Sequence, residues 1–159
     1  MKLAFSTLIC PDGTAAELRS LCENFGIDGV ELRTSDETVP ELNGLNITDI
    51  ASSFCLLGYD EDLLLKMKGV LVCIERAGIG AIRVFLGNFR RRHDDPAREI
   101  DYDGIVRMLR ELCDSTGCEI WVETHNEFAT GRVLKKLMED VDRSNIKIIW
   151  DIMHPYEDG

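Results

Sequence analysis

Residues 101–123, with the sequence DYDGIVRMLRELCDSTGCEIWVE, contain a predicted helix, a glycine and a predicted strand in direct succession. Asp101 is the expected N-cap, and the apolar residues after it recur at helical spacing: Ile105, Met108, Leu109 and Leu112. Gly117 is expected to end the helix. The apolar run from Glu119 to Glu123 is expected to be a strand. The stretch therefore predicts one helix–strand unit of an α/β fold.

The same order of helix, glycine and strand recurs around Gly26 and Gly78. Thr14 and Glu17 form a predicted capping box at the start of the first helix. Strands are predicted at residues 3–6, 30–32, 47–53, 81–86, 119–123 and 147–151, with helices between them and a possible short turn near Pro40. Strands that are joined by helical crossovers lie parallel, so the pattern predicts a parallel sheet.

Two architectures fit such repeats: an open doubly wound sheet and an incomplete (β/α)₈ barrel. A nucleotide-binding doubly wound sheet usually has a glycine-rich turn after its first strand, and residues 7–13, TLICPDG, contain no Gly-x-Gly. The 159 residues fall short of the ~250 residues of a complete TIM barrel. These observations argue against a dinucleotide site but leave both architectures open, and either one gives a single domain over residues 1–159.

The composition is acidic, with 18 Lys and Arg against 29 Asp and Glu and a net charge of −11. Binding to nucleic acid requires clustered basic residues, so we predict no nucleic-acid partner. The basic run Arg90–His93 is interpreted either as a solvated loop or as a phosphate contact.

Membrane insertion is not expected, because no apolar stretch reaches the ~18 residues of a membrane span. The sequence opens without a recognisable secretory leader. Its six cysteines form no Cys-x-x-Cys pair. These features predict a cytoplasmic protein with reduced, mostly buried thiols and no membrane partner.

Acidic residues occur at the expected carboxyl ends of two neighbouring strands, where α/β folds place their active sites. Glu123 ends the fifth predicted strand and Asp151 ends the sixth. A carboxylate after an apolar strand is costly to desolvate unless it is paired or bound to a cation. The two residues are therefore either ligands of a divalent cation or structural partners of helix ends and of Arg83.

Histidines follow both carboxylates: His125 lies two residues after Glu123, and His154 lies three residues after Asp151. Each histidine could face the same site, although a loop histidine is commonly solvated or bonded to the backbone. Arg83 on the fourth strand and Glu31 on the second are further candidates for substrate contacts. The two tryptophans, Trp121 and Trp150, are expected in the core.

Five segments of the chain resemble the sugar phosphate isomerase/epimerase superfamily, the xylose isomerase-like barrels. They are MKLAFST (residues 1–7), GVELR (29–33), IRVFLG (82–87), VETH (122–125) and WDIMHP (150–155). The resemblance runs in order along the chain and is most specific in the last two segments. It implies that residues 1–159 are a single xylose isomerase-like domain whose parallel (βα) repeats form an incomplete TIM barrel, with about six of eight strands. It also implies that the complete barrel binds one divalent cation, Mn²⁺, Mg²⁺, Co²⁺ or Zn²⁺, and acts on a sugar or sugar phosphate.

The resemblance also implies roles for individual residues. Glu123 matches a metal ligand that often serves as an acid or base in catalysis, and Asp151 matches a second ligand. His154 matches a histidine that contacts substrate or metal. Arg83 is a candidate for binding a phosphate, unless it is the structural partner of Glu123.

The family takes a further histidine from strand seven and a glutamate from strand eight, and these 159 residues stop before both. Proton transfer beside a carbonyl needs suitably placed bases and a polarising cation, and a catalytic cation usually has at least three protein ligands. We therefore expect isomerase or epimerase chemistry from a complete barrel, but weak metal binding and little activity from this chain.

An unclosed barrel exposes strand edges. Three resolutions are open: the chain is a fragment of a longer reading frame, it pairs with another copy, or the sheet relaxes into an open α/β form. Of these we predict self-association into a homo-oligomer. One alternative function is that of a non-catalytic barrel piece that acts only through such association. The other is hydrolysis of abasic DNA, as in the apurinic-endonuclease branch of the family. That branch uses a histidine-rich metal cluster and a basic groove, which three histidines and a charge of −11 disfavour.

Overall fold

The computed structural model describes residues 1–34, 44–88 and 98–158, apart from the side chains of residues 157 and 158. The turn predicted near Pro40 and the basic run Arg90–His93 lie outside the described residues.

The described chain alternates strands with helices. Its elements are β1 (Ala4–Ser6), α1 (Ala15–Phe25), β2 (Gly29–Arg33), β3 (Ile47–Leu56), α2 (Glu61–Arg76), β4 (Ala81–Leu86), α3 (Tyr102–Asp114), β5 (Glu119–Glu123), α4 (Gly131–Val141), β6 (Ile146–Ile149) and α5 (Met153–Asp158), with short 3₁₀ turns at Thr7–Ile9 and Asn126–Phe128.

The strands form one sheet in the order β1-β2-β3-β4-β5-β6, and every neighbouring pair is parallel. A doubly wound sheet reverses its strand order at a switch point, so this sequential order excludes that alternative. Within the described residues, β1 and β6 each pair on one side only, and the sheet is not closed. The prediction of an incomplete parallel barrel is confirmed.

The sheet has an apolar face towards the helices and a more polar inner face. On β4, Ile82, Val84 and Leu86 are fully buried and share the core with residues of α3 such as Leu109. Side chains alternate along a strand, so Arg83 on β4 lies on the opposite, inner face. Polar side chains of this inner face form the sites described below.

The helix ends follow the sequence signals at most positions. Thr14 and Glu17 make the reciprocal bonds of a capping box, and Gly26 ends α1 with φ of 63°. The prediction that Gly117 ends α3 is wrong, because the helix stops at Asp114. Gly117 instead donates its N–H to the Glu75 carboxylate at 2.8 Å, which joins the following loop to α2.

The expected core positions of the two tryptophans are also wrong. Trp150 is 53% exposed because it follows the edge strand β6. Trp121 is half-buried on the inner face, where its indole N–H donates to Glu119 at 2.7 Å. β3 is longer than predicted and runs to Leu56, with a register shift against β4.

All six cysteines are free thiols. Cys113 and Cys118 are buried, whereas Cys73 is exposed, so the expectation of mostly buried thiols holds for only some of them. Burial raises the pKa of Cys113 to about 11, which keeps its thiol protonated and unreactive near neutral pH.

The described helices offer no membrane span, since none is both long and apolar enough to cross a bilayer.

Candidate metal centre

Three potential ion ligands lie together where β5 and β6 end. Glu123, Asp151 and His154 each offer one ligand atom, and these atoms all lie within 4.8 Å of one another. Glu123 is buried as the last residue of β5, and the other two side chains are half-buried after β6. Two carboxylates and an imidazole are donors that suit Mn²⁺, Co²⁺ or Zn²⁺. The donor set therefore fits a divalent cation.

The position of Asp151 depends on a buried threonine. The Thr124 hydroxyl accepts the Asp151 N–H at 2.8 Å and donates to the Asp151 carbonyl at 3.1 Å. The Thr124 side chain is inaccessible to solvent. Asp151 in turn accepts the N–H of Met153 at 2.8 Å. Thr124 thus ties the chain after β6 to the end of β5 and holds the two carboxylates side by side.

Glu123 already has a positively charged partner. Arg83 donates to the Glu123 carboxylate at 2.9 Å, and the two side chains are 8% and 11% exposed. A second guanidinium nitrogen donates to the Ser52 carbonyl at 3.0 Å, and the guanidinium lies 4.4 Å from the Phe85 ring centroid. Of the two interpretations of Arg83, the structure shows the ion pair with Glu123.

His125 lies beside the cluster without joining its three donors. Its ring centroid is 4.1 Å from that of His154 and 5.1 Å from that of Phe85. Burial lowers the pKa of His125, so its imidazole is neutral near neutral pH. A neutral imidazole at this position can hydrogen-bond a hydroxyl or carbonyl group.

The loops after β4 and β5 are joined near this centre by Asn88 and Glu127. The Glu127 carboxylate accepts the Asn88 backbone N–H at 2.8 Å and its side-chain amide at 3.0 Å. Gly87 has φ of 82° and lies against Glu127, so an added Cβ would clash with that carboxylate.

Glu31 is not brought into the cluster. It pairs in register with Ser6 and with Asp49, and Asp49 lies two residues before Ala51, the partner of Arg83. Ser6, Glu31 and Asp49 line a cleft of about 570 Å³ that also contacts Trp121. Because this cleft joins β1 and β2 to β5, the sheet is curved, as in a barrel. Contact between Glu31 and a substrate stays a prediction.

Sequence reasoning did not identify Asp49 and Thr124. Asp49 is 3% exposed, and its carboxylate accepts the Thr48 hydroxyl at 2.6 Å. Burial raises the pKa of Asp49. A charged residue in the middle of the predicted strand 47–53 was the available signal. For Thr124, which follows Glu123 directly, no comparable signal exists.

Comparisons with known proteins point to one class of fold. No protein-family model and no curated protein sequence matches the chain. Among solved structures, a xylose isomerase domain containing protein from Salmonella typhimurium LT2 has a TM-score of 0.77 at 16% identity, covering 99% of this chain and 64% of its own. An L-ribulose 3-epimerase has a TM-score of 0.76 at 14% identity, covering 99% and 63% respectively.

The IolI protein with a bound zinc atom is a third match, with a TM-score of 0.72 at 19% identity over 97% of this chain and 64% of IolI. The chain therefore has the fold of the xylose isomerase-like TIM barrels. It spans 63–64% of the length of these three structures, in the form of six parallel strands with their helices.

Proposed function

We propose that this chain is a sugar or sugar-phosphate isomerase/epimerase-like protein whose chemistry depends on a divalent cation. The observation that carries the proposal is the convergence of Glu123, Asp151 and His154 within 4.8 Å. The matched structures add support, since one is an L-ribulose 3-epimerase and another contains zinc.

The roles follow from position and chemistry. Glu123 and Asp151 would hold the cation together with His154, and the cation would polarise a sugar carbonyl or hydroxyl oxygen. Glu123 is also placed to take a proton from a carbon beside that oxygen. His125, neutral and close to His154, would orient a sugar hydroxyl. Arg83 would neutralise charge beside Glu123 or contact an anionic substrate group.

Isothermal titration with Mn²⁺ tests the centre directly. We expect the 159-residue chain to bind one Mn²⁺ with micromolar or weaker affinity, because few ligands are present and Arg83 competes for Glu123. Asp151→Asn is expected to weaken binding by at least about tenfold. Glu139→Gln is the control, since the Glu139 side chain is 66% exposed on α4.

Two results would contradict this proposal. One is the absence of any Mn²⁺ binding to the wild-type chain. The other is an equal loss of affinity in Asp151→Asn and in the control. A submicromolar site on a monomer would instead contradict the expectation of weak binding.

The open edge at β6 supports self-association as a second proposal. Apolar side chains are exposed there, at Trp150 (53%), Ile152 (79%), Met153 (60%) and Tyr156 (88%). Within the described residues β6 has a strand neighbour on one side only. An unpaired edge beside exposed apolar side chains favours association with a second copy.

Light scattering at micromolar concentration is expected to give a mass above that of the 17.9 kDa monomer. Ile152→Lys is expected to shift the chain towards monomer, because it places a charge on the apolar patch. Leu65→Lys is the matched control at a 65% exposed position on α2. A monomeric wild-type chain would overturn this expectation.

A non-catalytic role through association alone is the competing function, and it is favoured if no metal copurifies with or binds to the chain. Hydrolysis of abasic DNA has less support. The described residues bring only two histidines, His125 and His154, to the centre. Binding to duplex DNA at low salt would revive it.

A further inference from the structure

The Arg83 guanidinium lies between two carboxylates on the inner face of the sheet. On β4 it is in register with Trp121 of β5 and with Ala51 of β3. Glu123 lies two residues beyond Trp121, and Asp49 lies two residues before Ala51. Both are therefore diagonal neighbours of Arg83 on the same face of the sheet. Their backbones lie roughly 7–8 Å from that of Arg83, a distance that the long arginine side chain can cross.

Only one of these carboxylates is hydrogen-bonded to Arg83. Its terminal nitrogen donates to Glu123 at 2.9 Å. Arg83 Nε and Asp49 Oδ2 are both buried and have no hydrogen-bond partner within residues 1–34, 44–88 and 98–158. The other Asp49 oxygen accepts the Thr48 hydroxyl at 2.6 Å. An unpartnered buried donor and an unpartnered buried acceptor on neighbouring strands are costly in this arrangement.

A cation bound to Glu123 would change which of the two carboxylates, Glu123 or Asp49, is the better hydrogen-bond acceptor for Arg83. The Glu123 carboxylate would then face two positive charges, the ion and the guanidinium, which repel each other at short range. Asp49 offers an oxygen that can accept from Arg83 on the side away from the ion. Burial raises the pKa of Asp49 and the Glu31 carboxylate adds to this effect, while the Thr48 hydroxyl and the Arg83 charge act in the opposite direction.

We propose that Asp49 is a positioning residue that accepts the Arg83 guanidinium when Glu123 binds a divalent cation. This inference rests on the proposed metal centre. It assigns to Asp49 the task of drawing Arg83 away from Glu123, so that the carboxylate becomes available to the ion. Asp49 itself does not touch the ion.

A double-mutant cycle on Mn²⁺ affinity tests the inference, with titration calorimetry on the 159-residue chain. Asp49→Asn is expected to weaken Mn²⁺ binding by at least about fivefold, because Arg83 then stays on Glu123. Arg83→Gln is expected to tighten binding, since it removes the competing charge. In the Arg83→Gln background, Asp49→Asn is expected to change the affinity by less than about twofold.

Glu139→Gln is the control here as well, because the Glu139 side chain is 66% exposed on α4. It is expected to change Mn²⁺ affinity by less than about twofold. Asp49→Ser provides a second variant if Asp49→Asn does not fold, with the same expected pattern.

The outcomes separate the two proposals. Wild-type Mn²⁺ affinity in Asp49→Asn, or an equal loss with and without Arg83, would overturn the positioning role and leave the metal centre intact. The equal loss would show that Asp49 acts through general packing. Failure of the wild-type chain to bind Mn²⁺ would overturn the metal centre, and this inference with it.

Discussion

Arg83→Met is expected to lower the free energy of unfolding of the ion-free protein by about 3–5 kcal/mol. The substitution removes the partner at 2.9 Å from a Glu123 side chain that is only 11% exposed. A buried carboxylate that loses its counter-charge keeps its desolvation cost and loses the attraction that offset it. Urea denaturation followed by circular dichroism measures the change.

Lys135→Met is the control for this experiment. Lys135 and Glu139 form an ion pair at 3.8 Å on α4, with side chains 77% and 66% exposed. Such a pair contributes about 0–1 kcal/mol, so its loss should have little effect. Equal losses of unfolding free energy in Arg83→Met and Lys135→Met would show that the Arg83–Glu123 ion pair contributes no more stability than the exposed pair.

Mn²⁺ should partly rescue Arg83→Met, because the ion would take the place of the guanidinium beside Glu123. At one fixed Mn²⁺ concentration, about 100 times the dissociation constant of Arg83→Met, binding adds about 2.7 kcal/mol of stability to that variant. The same concentration should add less to Lys135→Met, which keeps Arg83 on Glu123 and binds the ion more weakly. An equal gain of unfolding free energy from Mn²⁺ in Lys135→Met and Arg83→Met would contradict the idea that the ion replaces the Arg83 charge beside Glu123.

The repeating part of the fold could be predicted because it depends on local signals. The predicted strands 81–86 and 119–123 have the observed bounds, since each is a short apolar run between a helix and a polar loop. The capping box at Thr14 likewise depends on residues three positions apart. The same local signals left an open doubly wound sheet and a barrel as alternatives, and the resemblance to the xylose isomerase-like barrels decided between them.

The site could be predicted only as a set of residue types. The carboxyl ends of β5 and β6 indicated Glu123 and Asp151, because neighbouring parallel strands end at one edge. The pairing of Arg83 with Glu123 was left as an alternative, since it depends on which face each strand turns inwards. The burial of Asp49 depends on the register between β2, β3 and β4, which the sequence does not encode locally.

The buried charged side chains on the inner face of the sheet need partners of opposite charge. An apolar barrel interior would be filled by branched side chains, whereas here Glu123, Arg83 and Asp49 are all buried. Their burial is tolerated because Arg83 lies between the Glu123 and Asp49 carboxylates. A cation bound at Glu123 would supply the additional positive charge that these two carboxylates lack. Stability and ion binding are therefore expected to be coupled in this chain.

Thr124→Val is expected to test that coupling at the other side of the centre. Valine keeps the shape but removes the hydroxyl that bonds both backbone groups of Asp151 at 2.8 and 3.1 Å. The buried groups left unsatisfied should cost about 1–3 kcal/mol of stability. Misplacement of Asp151 should also weaken Mn²⁺ binding by about 10- to 100-fold, as measured by calorimetry. Thr124→Ser keeps the hydroxyl and should retain most of the affinity, so equal losses in the serine and valine variants would show that packing of the methyl group, rather than the hydrogen bonds, holds the two carboxylates together.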